Sequence, residues 1–174
     1  IVLAVPSMLQ TPGPGQAATR TNDAAVAVVA SDDPSLAVPV PRDQPLDAEA
    51  VLAMVRRAVA FYHENGRERF LEEINNPQGV LLRNDLYAFV FDRSMTVLAH
   101  PLKPDLVGQN LLDRMDRAGG KHFTREIQKL VRSKGAGWVE YEFENPTSKQ
   151  REPKTTFVQG VDDLIVGAGA YEGK

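Results

Sequence analysis

Near the C-terminus of this 174-residue chain, two apolar runs, Thr155 to Val161 and Leu164 to Ala170, are separated only by Asp162-Asp163. A parallel pair of strands needs a crossover of a dozen or more residues, so a connection this short forces the two runs to pair as antiparallel neighbours. The same constraint recurs upstream. Leu86 to Phe91, with aromatics at Tyr87, Phe89 and Phe91, is followed by the turn Asp92-Arg93-Ser94 and a returning strand from Met95 to His100 that Pro101 closes. Gly137 to Phe143 precedes a turn opened by Asn145-Pro146. The second half of the chain therefore reads as an antiparallel sheet.

Helical spacing takes over in the first half. Val51, Leu52, Val55, Ala58, Val59 and Tyr62 recur with the period of an amphipathic helix. Asp47 is placed to cap its N-terminus, with Glu49 favourable in the first turn. Gly66 ends or bends this helix, Arg67 to Ile74 reads as a shorter second one, and Asn75-Asn76-Pro77 stops it, because the residue before a proline avoids the helical region. A further helix is predicted over Phe123 to Arg132, with Phe123, Ile127, Leu130 and Val131 on its inner side. The order of elements predicts an α+β fold: a PAS-like antiparallel five-stranded sheet with a long N-terminal helix.

Upstream of Asp47 the texture differs. Residues 10–46 carry Pro12, Pro14, Pro34, Pro39, Pro41 and Pro45 among small and polar residues, too little apolar surface to offset the entropy of ordering. Ile1 to Leu9 is too short to span a bilayer. Residues 1–46 are read as a signal-peptide remnant or a disordered Pro/Ala-rich linker, and 47–174 as one domain.

Composition narrows the function. The formal net charge is −3, with no Lys/Arg stripe to meet nucleic acid. The absence of cysteine excludes disulfides, Cys-ligated zinc and iron–sulfur clusters. No phosphate loop, dinucleotide fingerprint or nucleophile elbow is present. His63, His100 and His122 lack ligand-spaced partners, and Asp113, Asp116 and Glu126 lack the alternation of a calcium loop. Neither a catalytic group, a metal site nor a cofactor is expected.

Several phrases carry a family resemblance. They are Ala58-Val59-Ala60-Phe61-Tyr62 with Asn65-Gly66, Glu73-Ile74-Asn75-Asn76-Pro77-Gln78-Gly79, Leu86-Tyr87-Ala88-Phe89-Val90-Phe91-Asp92 and Leu98-Ala99-His100-Pro101. Val107-Gly108-Gln109-Asn110-Leu111, Gly137-Trp138-Val139-Glu140-Tyr141, Pro153-Lys154 and Val166-Gly167-Ala168-Gly169-Ala170-Tyr171 follow in order. From about Val51 onward the chain resembles single Cache domains, extracytoplasmic sensor modules of bacterial chemoreceptors and sensor kinases. The resemblance implies a periplasmic domain that binds a small organic ligand, a short carboxylate, and signals by a conformational shift in chemotaxis or related signal transduction. It also implies tethering to a membrane receptor, and a homodimer formed through the N-terminal helix. The alternative is a free-standing periplasmic small-molecule-binding protein without signalling output; ending at Lys174, the chain reads as an excised sensor domain or as such a protein. One departure stands out: the family usually places glycine in the turn after the first strand, where this chain has Asp92-Arg93-Ser94-Met95.

Carboxylate binding needs a cation or several donors in a dry pocket. Lys154, starting a strand directly after Pro153, is the leading candidate, the alternative being a solvated strand-edge lysine. His100, at a strand end, is either a donor to the carboxylate or a cap on local backbone groups. Tyr87, Trp138 and Tyr141 offer apolar walls with polar tips, or plain core packing. Trp138 and Tyr141 are three apart, so a regular strand points them to opposite faces, and only a bulge or a later strand start brings both to one pocket.

Overall fold

The helix predicted from Asp47 onward is α1, Ala48–Asn75, and it buries Val51, Leu52, Val55, Ala58, Phe70 and Ile74 on one side. It is broken at Gly66, whose φ of 77° and ψ of 172° fall in a region open essentially to glycine alone. The computed structural model describes residues 48–116 and 120–172. The linker or signal remnant over 1–46, the Asp47 cap and Gly119 lie outside them.

The strands are β1 (Leu82–Arg83), β2 (Leu86–Asp92), β3 (Val97–Ala99), β4 (Ala136–Glu144), β5 (Arg151–Val161) and β6 (Leu164–Tyr171). All pair antiparallel in the order β1-β2-β6-β5-β4, with β3 also on β2. The five expected strands are all present; the sixth, β1, is a two-residue ribbon opposite Leu86 and Tyr87, too short to carry an alternating pattern. β5 begins at Arg151 rather than Thr155, so Pro153 and Lys154 lie inside a strand and not at its start. Helix α2, Phe123–Lys134, follows a 3₁₀ turn at Pro104–Leu106.

The sheet is packed on both faces. Against α1 lie Ala88, Val90, Ala99, Phe157, Val166, Ala168 and Ala170. The other face carries Tyr87, Phe89, Phe91, Val139, Tyr141, Val158, Ile165 and Tyr171, covered by Phe123, Ile127 and Val131 of α2 and by Leu106 and Leu111 of the preceding loop. At the turn where the family usually has glycine, Met95 takes the left-handed conformation (φ 70°) while fully buried. The Asp92 carboxylate holds this turn, accepting from the Ser94 and Thr96 backbone N–H groups at 2.9 and 2.8 Å.

Candidate functional site

Alternation along the strands carries Tyr87 of β2, Tyr141 and Phe143 of β4, Lys154 of β5 and Tyr171 of β6 to the face opposite α1. There Lys154 is 1% exposed, which removes the solvated-edge reading. Its Nζ donates to Tyr87 Oη at 2.9 Å and to Tyr171 Oη at 3.4 Å. It also lies 4.0 Å from the Tyr87 ring centroid and 4.6 Å from that of Tyr171, where the ring quadrupoles favour a cation. An ammonium carries three donors, and two phenol oxygens accept from it. Among the described residues no carboxylate pairs with it.

Glycines make this placement possible. A Cβ on Gly169 would sit 2.8 Å from Lys154 Cε and collide with Thr156 Oγ1, and one on Gly167 would sit 2.6 Å from Phe89 Cζ. The bare backbone of β6 is the bed on which the lysine stem and the Phe89 ring lie.

His100 takes the backbone-capping role. Its Nδ1 accepts from the Leu102 and Lys103 backbone N–H groups at 3.3 and 3.1 Å, which caps the turn and leaves Nε2 as the protonated nitrogen of the neutral ring. Burial, reinforced by Lys154 and Lys103, pulls its pKa down to about 3. A neutral imidazole, not an imidazolium, therefore faces the site at neutral pH. Its ring lies 4.9 Å from that of Tyr87.

Tyr141 stacks on Phe123 at 4.2 Å and receives a hydrogen bond from Thr156 Oγ1 at 3.2 Å. Tyr171 donates to the Glu144 carbonyl at 3.0 Å. Burial first, and neighbouring Tyr87 with it, raises both phenols well above the ordinary tyrosine range, so both stay neutral.

Tyr87, His100, Tyr141 and Lys154 line one cavity with Phe89, Phe91, Val97, Leu106, Leu111, Phe123 and Phe143. The free space is about 20 Å³, and a water needs on the order of 10–15 Å³ on that scale. Trp138 is not part of it. The regular register Trp138↔Phe157 and Tyr141↔Lys154 contains no bulge, so Trp138 faces α1 and meets Phe157 at 5.2 Å. Tyr171 and Phe143 were not among the sequence candidates. Glycines at 167 and 169, two apart in a strand ending at Tyr171, were the available signal for the first.

Among the described residues no group of three or more His, Asp or Glu is placed to hold a metal ion. Asp113 pairs with Arg125, and Glu126 with Lys121.

The sequence model of the Cache domain family (dCache_2) matches residues 63–174. The chain belongs to the Cache domain family. Among solved structures, this Cache domain is similar to a periplasmic sensor domain of a chemotaxis protein, at 29% identity and a TM-score of 0.56 over 72% of this chain and 90% of the other. A Cache chemosensory domain described for its carboxylic acid recognition matches at 27% identity and a TM-score of 0.64, over 73% of this chain and 94% of the other. A methyl-accepting chemotaxis protein from Vibrio parahaemolyticus shares the fold at 20% identity and a TM-score of 0.62, over 71% and 86% of the two chains. Among the described residues of the Cache domain no helix is long and apolar enough to cross a membrane.

Proposed function

We propose that this Cache domain is an extracytoplasmic sensor that binds a short organic carboxylate on Lys154 and passes the event to α1. The observation that carries this reading is a lysine ammonium that is 1% exposed and has no carboxylate partner among the described residues. An unpaired buried cation costs several kcal/mol, roughly, and an anion placed beside it offsets that cost. No Asp or Glu lines the cavity, so an amine or the ammonium of an amino acid would find no counter-charge there. The carboxylate would receive the lysine, the Nε2–H of His100 and the Tyr141 hydroxyl as donors, each strengthened by the dry surroundings.

The likeness to a domain described for carboxylic acid recognition supports the ligand class. The likeness to a periplasmic sensor domain supports an extracytoplasmic location and a tether to a receptor. No cofactor and no nucleic acid enters this reading; a homodimer through α1 is compatible with it.

The route to α1 runs through the tip of the β5–β6 hairpin. Tyr62 donates to Asp162 at 2.7 Å, and Arg67 pairs with Asp163 at 2.6 Å, one on each side of the Gly66 break. β5 and β6 carry Lys154 and Tyr171. A ligand shifts this arrangement only by binding one hairpin position better than another.

Calorimetric titration with acetate and propionate tests the reading. Wild type binds at least one of them, and Lys154→Ala lowers that affinity by roughly two to four orders of magnitude, the equivalent of losing about 3–5 kcal/mol of buried charge pairing. Unchanged affinity in a folded Lys154→Ala variant would place the site elsewhere.

A further inference from the structure

We infer that Phe143 sets the length of acid the site accepts, by closing the lysine cavity against a second, polar chamber that would otherwise take a distal carboxylate. This rests on the carboxylate reading above.

The second chamber has about 190 Å³ of free space and shares Leu106, Phe123 and Phe143 with the lysine cavity. Lys154 lines only the inner cavity and Arg114 only the outer one. The Phe143 ring lines both cavities and is near both cations: its centroid is 5.7 Å from Lys154 Nζ and 6.0 Å from the Arg114 guanidinium carbon. Arg114 makes no ion pair among the described residues.

The three partition residues differ in how firmly they are held. Leu106 and Phe123 are buried at 5% and 3% exposure, and Phe123 is stacked on Tyr141. Phe143 is only partly buried and lies near the end of β4, the edge strand of the sheet. Its ring meets Phe123 and Tyr141 only edge-on, at 6.4 and 6.1 Å, so its removal leaves the Phe123–Tyr141 stack in place.

With the ring in place, the inner cavity has only about 20 Å³ of free space, so an acid anchored on Lys154 is held to the shortest of tails. A second carboxylate would be pressed against a phenyl ring and stripped of water without a partner, which is strongly unfavourable. Without the ring, the same group reaches a chamber lined by Arg114, Arg151 and the Lys103–Glu144 pair, with Asp105, Asp116 and Glu142 also on its wall, so Arg114, the cation nearest the Phe143 ring, is the group left to receive it. Phe143 thus selects monocarboxylates over dicarboxylates by exclusion rather than by attraction.

The experiment is calorimetric titration of propionate and glutarate into wild type, Phe143→Ala, Phe143→Leu and the double variant Phe143→Ala/Arg114→Ala, each checked by thermal melting. Wild type is expected to bind propionate at least ten-fold more tightly than glutarate. Phe143→Ala should shift that ratio ten-fold or more toward glutarate, Phe143→Leu by less, and adding Arg114→Ala should reverse most of the shift. Wild type binding glutarate as tightly as propionate overturns the inference, whether or not the variants fold. So does an unchanged ratio in either folded Phe143 variant. Wild type binding neither acetate nor propionate, or binding that survives Lys154→Ala, overturns the carboxylate reading itself, whereas acetate binding without propionate binding overturns only the inference about Phe143.

Discussion

Where α1 covers the sheet, the strands present Ala88, Val90, Phe157, Val166 and Ala168; on the opposite face the same strands present Tyr87, Phe89, Tyr141, Lys154 and Tyr171. Neighbours in sequence thus belong to different environments, because successive strand residues point to opposite sides. The α1 face is chiefly aliphatic and filled, and its contribution is burial, about 1.5–3 kcal/mol for each large side chain. The site face keeps a cation among phenols and aromatic rings, an arrangement that stability alone would replace with well-packed apolar residues. One face holds the fold and the other spends some of that stability on the proposed binding site.

That contrast can be broken at its strongest point by Lys154→Met. It should abolish carboxylate binding, a loss of roughly two to four orders of magnitude, while leaving the melting temperature equal or higher, since an unpaired buried charge is replaced by an apolar chain of similar length. A marked fall in melting temperature would mean the lysine supports the fold and the faces are not so divided.

The reciprocal variant is Phe70→Ala on α1, where the ring is fully buried against the helix face of the sheet. It should cost about 3–5 kcal/mol in denaturant unfolding. Binding by the molecules that remain folded should be unchanged. Weakened binding at temperatures where the variant is native would couple the two faces more tightly than their packing indicates.

Gly66→Val should cost about 1–3 kcal/mol, because the break in α1 uses backbone angles that a β-branched residue does not adopt. Equal stability to wild type, measured by urea unfolding, would show that α1 straightens at no cost.

The effect of His100 is a pH slope, spread over several pH units and small at any pH near neutrality. Native His100 has its pKa held near 3 by burial and by two lysines, whereas the unfolded residue titrates near the ordinary value of 6.5. Above the unfolded pKa both states are neutral and the full stability is present. As pH falls from about 6.5 toward 3, only the unfolded state gains the proton, and stability drops by on the order of 1 kcal/mol per pH unit from this group. His100→Asn keeps an acceptor for the turn and removes the titration, so its unfolding free energy should fall less steeply between pH 6 and 4. Parallel curves for the two proteins would place the His100 proton elsewhere.

The elements of this domain were legible in its sequence because each depends on nearby residues. The helical period from Val51 to Tyr62, the break at Gly66, and the short turn at Asp162-Asp163 all act within a few positions of themselves. Alternation also determined that Trp138 and Tyr141 diverge. It could not say which of them meets the site, since that depends on which face receives α1 and which receives α2. The fate of Lys154 was likewise a tertiary decision. A lysine directly after a proline at a strand start reads by itself as a solvated edge residue, and its burial was decided by Tyr87, Tyr171 and the bare backbone at Gly169, brought beside it from two other strands. Phe143 became a partition only because the loop holding Leu106 and Arg114 closes over the end of β4. Local spacing carries the information for elements, whereas a pocket is made of residues far apart in the chain, and their meeting is set by the register of the sheet and the packing on each face.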